Sequence, residues 1–280
     1  MDYFNRAKRF RTKKRLGQNF LIDGDVINFI VNEANLTKED TVIEIGPGIG
    51  FVTEQLVKYA GKVIAVELDE QAIEELNKLN ADNLEIVHND ILKTDISELA
   101  KGKKVKVVAN IPYYITSPIL AHLLGEIDDL DNKNRQSISE IILMVQEEVA
   151  IRMSANEKSP NKAYGLLTVL SQFWANCRIL KQVKSKSFYP APKVNSALVR
   201  LVVREEPLLK LSDYSYFRKT IRGGFSARRK NIKNALMNKG FDKDKILTAL
   251  EKVGISENTR SESISIEDFG RLSEELCKLK

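Results

Sequence analysis

Residues 41 to 69 read TVIEIGPGIGFVTEQLVKYAGKVIAVELD. An apolar run ends in glycines, an amphipathic stretch follows, and a second apolar run ends in acidic residues. Runs of Val and Ile without polar alternation suit strands covered on both faces, and the stretch between them has helical spacing, so the segment predicts a β-α-β unit. Gly46, Gly48 and Gly50 then occupy the turn where the first strand hands over to the helix, and glycine lets backbone come close to a ligand there. A glycine turn alone also fits a tight turn without a ligand or a nicotinamide dinucleotide site. The next strand discriminates. It places Glu67 at its tip about twenty residues after the glycines, where a carboxylate accepts ribose hydroxyls. The G-x-G-x-x-G spacing is absent, so a cofactor with one nucleoside and no pyrophosphate fits better.

The same alternation extends outward. NLEIVHND reads as a third strand with Asp90 at its tip, placed to accept from an exocyclic amine such as that of adenine. VKVVANIP is a fourth strand, SPILAHLL a helix, EIILMVQ a fifth strand running into a helix, and GLLTVLSQFWA an apolar helix. CRILKQVK and SALVRLVVR resemble a hairpin, although the connection SKSFYPAPKVN is too long and proline-rich for a tight turn, and such loops often carry function. Seven strands in all give an α/β fold with a mixed sheet. After Arg204 the texture changes: EEPLLKL makes a joint, and beyond it only short amphipathic helices are legible. The expected organisation is an α/β domain over 1–204 with a basic N-terminal arm, and a small all-α domain over 205–280. There is no internal repeat or low-complexity tract.

Composition narrows the class. A chain of 280 residues, 43% of them hydrophobic, can bury a substantial core. No apolar run approaches the roughly 20 residues that cross a bilayer, and MDYFNRAKRFRTKKR has no apolar signal-peptide core, so a cytoplasmic protein without membrane contact is expected. Cys177 and Cys277 lack redox or metal-ligand spacing, so neither a disulfide framework nor a metal site is expected. The net charge of +6 is uneven. Arg6, Lys8, Arg9, Arg11, Lys13, Lys14 and Arg15 crowd the N-terminus, and Arg218, Lys219, Arg222, Arg228, Arg229, Lys230 and Lys233 crowd a later segment. One basic cluster is commonly a solvated face; two of them, interleaved with Phe4, Phe10, Phe217 and Phe225, point to nucleic acid.

The fourth strand supplies chemistry. It ends in Asn110, Pro112, Tyr113 and Tyr114, at the strand edge where open α/β sheets bind ligands. Adenine N6 is a poor nucleophile because its lone pair is delocalised into the ring. An asparagine oxygen and a nearby backbone carbonyl that accept both N6 hydrogens localise the lone pair and aim it at an electrophile. No strong base is required, since the alkylated nitrogen becomes acidic. Tyr113 offers a face on which a flipped base stacks. In isolation the string also reads as a helix cap and a packed aromatic; three strands after a glycine turn, it reads as a site.

EIGPGIG, VELD, ND and NIPYYITSP, with LGQNFLID before and FYPAPKVNSALVRL after, resemble the ribosomal RNA adenine dimethyltransferases over nearly the whole chain. FSARRKNIKNAL and RSESISIEDFGRLSEEL are similar to the helical domain of the branch that acts on the small subunit. The resemblance implies a Rossmann-like fold, S-adenosylmethionine as cofactor, and a reaction in which two adjacent adenosines of the 3′-terminal hairpin loop of 16S rRNA become N6,N6-dimethyladenosines during small-subunit biogenesis. The chain is expected to work as a monomer on 16S rRNA within the subunit or its precursor. Carried over residue by residue, Gln18, Asn19 and Leu21 lie over the cofactor, Gly46 and Gly48 approach its methionine part, Glu67 with Leu68 takes the ribose, and Asp90 with Ile91 the adenine. Asn110 and Pro112 border cofactor and target base, which Tyr113 and Phe188 sandwich. Arg11, Lys13, Lys14, Arg222, Arg228, Arg229 and Lys230 hold RNA phosphates. Ile111 and Tyr114 stand where leucine and asparagine are common in the family. The competing readings are an Erm-type enzyme acting on 23S rRNA and a non-catalytic RNA-binding or transcription factor on the same fold.

Overall fold

The computed structural model describes residues 2–13, 16–227 and 229–280; Lys14, Arg15 and Arg228, named above among the cations, lie outside the described residues. Two compact units are present, one of residues 1–125, 131–150 and 176–203, the other of 126–130, 151–175 and 204–280. Where the sequence suggests a single boundary after Arg204, the second unit also takes in the short segment 126–130 and the helical segment 151–175.

The first unit is built on β1 (Phe20–Leu21), β2 (Thr41–Ile45), β3 (Lys62–Glu67), β4 (Leu84–His88), β5 (Val105–Asn110), β6 (Ile138–Gln146), β7 (Ala175–Val183), β8 (Phe188–Tyr189) and β9 (Ser196–Val203). Seven of them form one sheet in the order β4-β3-β2-β5-β6-β9-β7. Neighbours from β4 through β6 run parallel, while β9 lies antiparallel to β6. The sheet is therefore mixed, as expected, and the apparent hairpin at its end is modified: β9 sits between β6 and β7. Val42, Ile43 and Ile45 are all buried, which explains why β2 shows no polar alternation.

From β2 the chain winds outward to β3 and β4, then returns to place β5 on the other side of β2. That reversal opens a crevice beyond the carboxyl ends of β2 and β5, the position where doubly wound sheets take ligands. In register, Ile45 of β2 lies opposite Ala109 of β5, and Glu67 ends β3 one residue beyond the pair Ile45 and Val66.

Three elements were not anticipated. The helix Gly24–Ala34 is capped by Asp23 and buries Val26, Ile27, Ile30, Val31 and Ala34, the i, i+1, i+4 stripe of a helix laid on a sheet. The N-terminal helix Tyr3–Arg9 is docked rather than free. Tyr3 and Ala7 enter the core and Tyr3 lies 4.7 Å from the Phe51 ring. Finally, β1 and β8 pair as a two-stranded antiparallel ladder that ties the segment before β2 to the long proline-rich loop.

The second unit is helical. Helices Leu166–Trp174, Tyr214–Gly224, Ile232–Met237, Lys243–Val253 and Ile266–Lys278 pack around Phe173, Trp174, Phe217 and Phe269. Asp213, Asn231, Asp242 and Ser265 each cap the helix that follows by accepting a first-turn N–H. None of the helices among the described residues is long and apolar enough to cross a membrane.

Candidate active site

A pocket at the reversal point is lined by residues from five places in the chain: the segment Leu16–Leu21, the glycine turn, the tip of β3, the turn after β4, and the segment from Asn110 to Ile115. The expected residues Gln18, Asn19, Leu21, Gly46, Gly48, Glu67, Leu68, Asp90, Ile91, Asn110, Pro112 and Tyr113 all line it.

The glycine turn works by absence of side chains. Gly46 and Gly48 have φ of 65° and 58°, where other residues are strained. A Cβ on Gly48 would sit 2.8 Å from the Phe20 ring. A Cβ on Gly46 would sit 3.6 Å from the Asn110 carbonyl oxygen, so that turn and the end of β5 are in contact. The bare backbone is thus the pocket floor.

Glu67 is only 8% exposed. Its Oε1 accepts from the N–H groups of Leu68 (2.8 Å) and Asp69 (2.9 Å), and its Oε2 from that of Gly48 (2.9 Å). Burial raises its carboxyl above the ordinary range, while these three N–H groups pull the other way. A carboxylate offers about four acceptor positions. Three are taken by backbone, which leaves one on Oε2 for a hydroxyl in the pocket. At the next tip, Asp90 accepts from Leu92 N–H through Oδ1 at 3.0 Å, capping the short turn Ile91–Lys93.

Asn110 donates through Nδ2 to the Asn19 carbonyl at 3.4 Å. With the amide nitrogen so engaged, Oδ1 is the end of the side chain left to accept a proton donor. Tyr113 is held by its hydroxyl, 2.6 Å from Ser196 Oγ, and Thr116 Oγ1 donates to its carbonyl at 3.1 Å. Ser196 is fully buried at the start of β9, so the tyrosine ring is fixed from the sheet side. Burial raises the Tyr113 phenol further above its ordinary value, with the Ser196 contact opposing, and the ring stays neutral.

Two expected contacts differ. Gln18 lines the pocket, but its amide is spent on protein: Nε2 donates to Asp69 Oδ2 at 2.7 Å and Oε1 accepts from Lys13 N–H at 2.8 Å. Phe188 is not among the residues that line the pocket. It is 3% exposed, pairs with Leu21 across the β1-β8 ladder, and belongs to the core with Phe20, Val183 and Leu198.

One pocket residue escaped the sequence reading. Glu44 lies in β2 among apolar neighbours, is 3% exposed, lines the pocket, and its Oε2 has no hydrogen-bond partner among the described residues. Burial pushes its carboxyl up to about 8. A buried carboxyl with an unpartnered oxygen either keeps its proton or awaits a cation. Its signal in the sequence was a lone acid inside a strand buried on both faces.

The expected RNA contacts divide by what holds them. Lys13 is paired with Asp69, and Arg222 with Glu126 at 2.8 Å. Neighbouring Arg218 meets Glu126 and Asp128, and Lys233 pairs with Glu257. Arg11, Arg229 and Lys230 are exposed and make no ion pair among the described residues. Among the described residues there is also no cluster of His, Cys, Asp and Glu suited to a metal.

Comparison with known proteins agrees with this geometry. Residues 9–278 match the family model described as ribosomal RNA adenine dimethylase. A protein of Clostridium botulinum named ribosomal RNA small subunit methyltransferase A is 42% identical over 271 residues, which is 95% of this chain and 94% of that one. A protein of the same name from Clostridium acetobutylicum is 40% identical over 272 residues, covering 96% and 95% of the two chains. Among solved structures, a dimethyladenosine transferase from Plasmodium falciparum superimposes with a TM-score of 0.74 at 28% identity, over 89% of this chain and 94% of that one. The 23S rRNA methyltransferase ErmE gives 0.70 at 28% identity, over 92% and 100%.

Proposed function

Because the chain belongs to the ribosomal RNA adenine dimethylase family, we propose that it is the small-subunit enzyme, transferring methyl groups from S-adenosylmethionine to N6 of two adjacent adenosines in the 3′-terminal hairpin loop of 16S rRNA. The observation that carries this reading is the meeting of Glu67, Glu44 and Asn110 in one pocket. Each has an acceptor oxygen left for a ligand. When bound, the cofactor supplies an electrophilic methyl group.

The residues present fit that cofactor. The oxygen of Glu67 left over by the backbone takes a ribose hydroxyl, and Asp90 with Ile91 borders the adenine. The bare turn at Gly46 and Gly48 lets the amino acid part lie close. The unpartnered oxygen of Glu44 calls for a cation, which the α-ammonium provides.

For the target, Oδ1 of Asn110 accepts one N6 hydrogen and localises the nitrogen lone pair. The bound cofactor would give up its methyl group to that nitrogen as the methyl–sulfur bond breaks and S-adenosylhomocysteine leaves, and the alkylated nitrogen, made acidic, would shed its proton to solvent. Tyr113 supplies a stacking face whose position is set by Ser196. Arg11, Arg229 and Lys230, which make no ion pair among the described residues, are cations left to meet phosphates.

The test is a mass-spectrometric map of rRNA after incubation with S-adenosylmethionine and small subunits that lack the modification. Dimethylation of two adjacent 16S adenosines is expected, and Asn110→Ala should abolish it while RNA still binds. Modification of 23S rRNA instead, or undiminished transfer by Asn110→Ala, would overturn the assignment.

A further inference from the structure

Asp69 follows Glu67 by two residues, yet its side chain faces elsewhere. It is 1% exposed and holds three donors. Oδ1 accepts from Lys13 Nζ at 2.5 Å and from Gln71 N–H at 3.1 Å, and Oδ2 accepts from Gln18 Nε2 at 2.7 Å. Lys13 N–H in turn donates to Gln18 Oε1 at 2.8 Å, so two residues of the N-terminal segment are bound to each other and to one carboxylate. The Asp69 backbone N–H donates to Glu67. One residue thereby links the N-terminal segment to the carboxylate assigned to the ribose.

The same segment reaches the other half of the pocket. Leu16, Gly17, Gln18 and Asn19 line it. Gly17 has φ of 59° and packs so closely that a Cβ would lie 3.1 Å from both Pro112 and the Tyr114 ring. Asn19 accepts from Asn110 through its carbonyl. The segment therefore bridges the tip of β3, where Glu67 sits, and the tip of β5, where Asn110 sits. Among the described residues, the Asp69 end of this bridge is the one fastened by an ion pair.

Building on the function proposed above, we propose that Asp69 is a positioning residue: through Lys13 and Gln18 it latches the segment carrying Leu16–Asn19 across the pocket, and so both encloses the cofactor and orients Asn110. Lys13 on this account is not an RNA contact. Its ammonium is committed to a buried carboxylate, and burial of Asp69 is more than offset by Lys13, Gln18 and Gln71, which hold that carboxyl below its ordinary value and thus ionised. Opening the latch frees the Asn19 carbonyl, and the Asn110 amide loses the contact that turns its oxygen outward.

The test uses the full chain with S-adenosylhomocysteine as the probe. Asp69→Asn retains a good helix cap for the turn at Gln71, and Lys13→Met leaves Asp69 intact, so neither variant needs to disturb the fold; thermal denaturation verifies this. Each should weaken probe binding by about tenfold, which corresponds to about 1.4 kcal/mol. The double variant should be little worse than either single one, because both break the same bond. Lys13→Arg should restore most of the affinity. Lys13→Met should leave the slope of log RNA affinity against log salt unchanged, since that charge is already neutralised. Wild-type affinity in both single variants, additive losses in the double variant, or a salt slope lowered by about one unit would each overturn the latch. Failure of the wild-type protein itself to bind the probe would instead count against the cofactor assignment.

Discussion

Replacing Glu44 by glutamine should make the protein more stable in mildly alkaline solution, by an amount that follows from its burial. The ordinary carboxyl value of 4.5 is raised to about 8 in the folded chain. Between those two values the folded chain holds a proton that the unfolded chain has released, so stability falls as pH rises through that window and is level outside it. Each pH unit inside the window costs about 1.4 kcal/mol, and the whole window therefore costs on the order of 5 kcal/mol, a large share of the margin of a typical domain. Glutamine has the same shape and no proton to lose. Its amide shares the unpartnered position of Oε2, a cost of about 1 to 3 kcal/mol that does not vary with pH. Urea denaturation of the wild type and Glu44→Gln between about pH 5 and pH 8.5 should give curves that converge or cross at the acid end and separate at the alkaline end. Curves that stay parallel would refute the reasoning. The variant that gains stability should lose affinity for S-adenosylhomocysteine, whose ammonium no longer meets a carboxylate.

Other residues should fail in their own ways. Glu67→Gln sets an amide NH2 against either the Gly48 N–H or the N–H groups of Leu68 and Asp69, so calorimetry should show S-adenosylhomocysteine affinity lowered by about tenfold to a hundredfold. Tyr113→Phe keeps the stacking face and removes only the bond to Ser196; single-turnover methyl transfer should slow less than in Tyr113→Ala, which also loses about 1 to 3 kcal/mol of base stacking. Phe188→Ala, by contrast, should act through the core, lowering stability by about 3 to 5 kcal/mol in denaturant titrations, and a variant with full stability but no turnover would place Phe188 at the base instead. Neutralising Arg229 and Lys230 together should flatten the salt dependence of RNA binding by about two units of slope while cofactor binding survives.

The pocket was legible where chemistry sits at strand tips. Gly46, Glu67 and Asn110 announce themselves because each ends a buried apolar run with a residue that a strand has no use for, Asp90 closes the half-buried strand Leu84–His88 in the same way, and the sheet order then gathers them. Contacts that depend on register or on remote pairing were not legible. Lys13 looked like one cation in a basic arm because its partner lies 56 positions away. Nothing in FYPAPKVN shows that β8 pairs with β1 and packs Phe188 with Phe20, Val183 and Leu198. The helix Gly24–Ala34, by contrast, carries its signal locally, in the Asp23 cap and the apolar stripe that follows.

The walls of the pocket are drawn from positions between Leu16 and Ile119, so no shorter piece of the chain can present it. Loosening the glycine turn, any of the four parallel strand tips or the N-terminal segment takes away a wall. Occupancy by a small molecule is thereby tied to the integrity of some hundred residues at once. At a ligand concentration a hundredfold above its dissociation constant, that linkage contributes about 2.7 kcal/mol to the folded state. A cell well supplied with the methyl donor would keep this unit sturdier than a starved one, and the supply of the reactant would be felt as resistance to unfolding and to proteolysis before any RNA arrives.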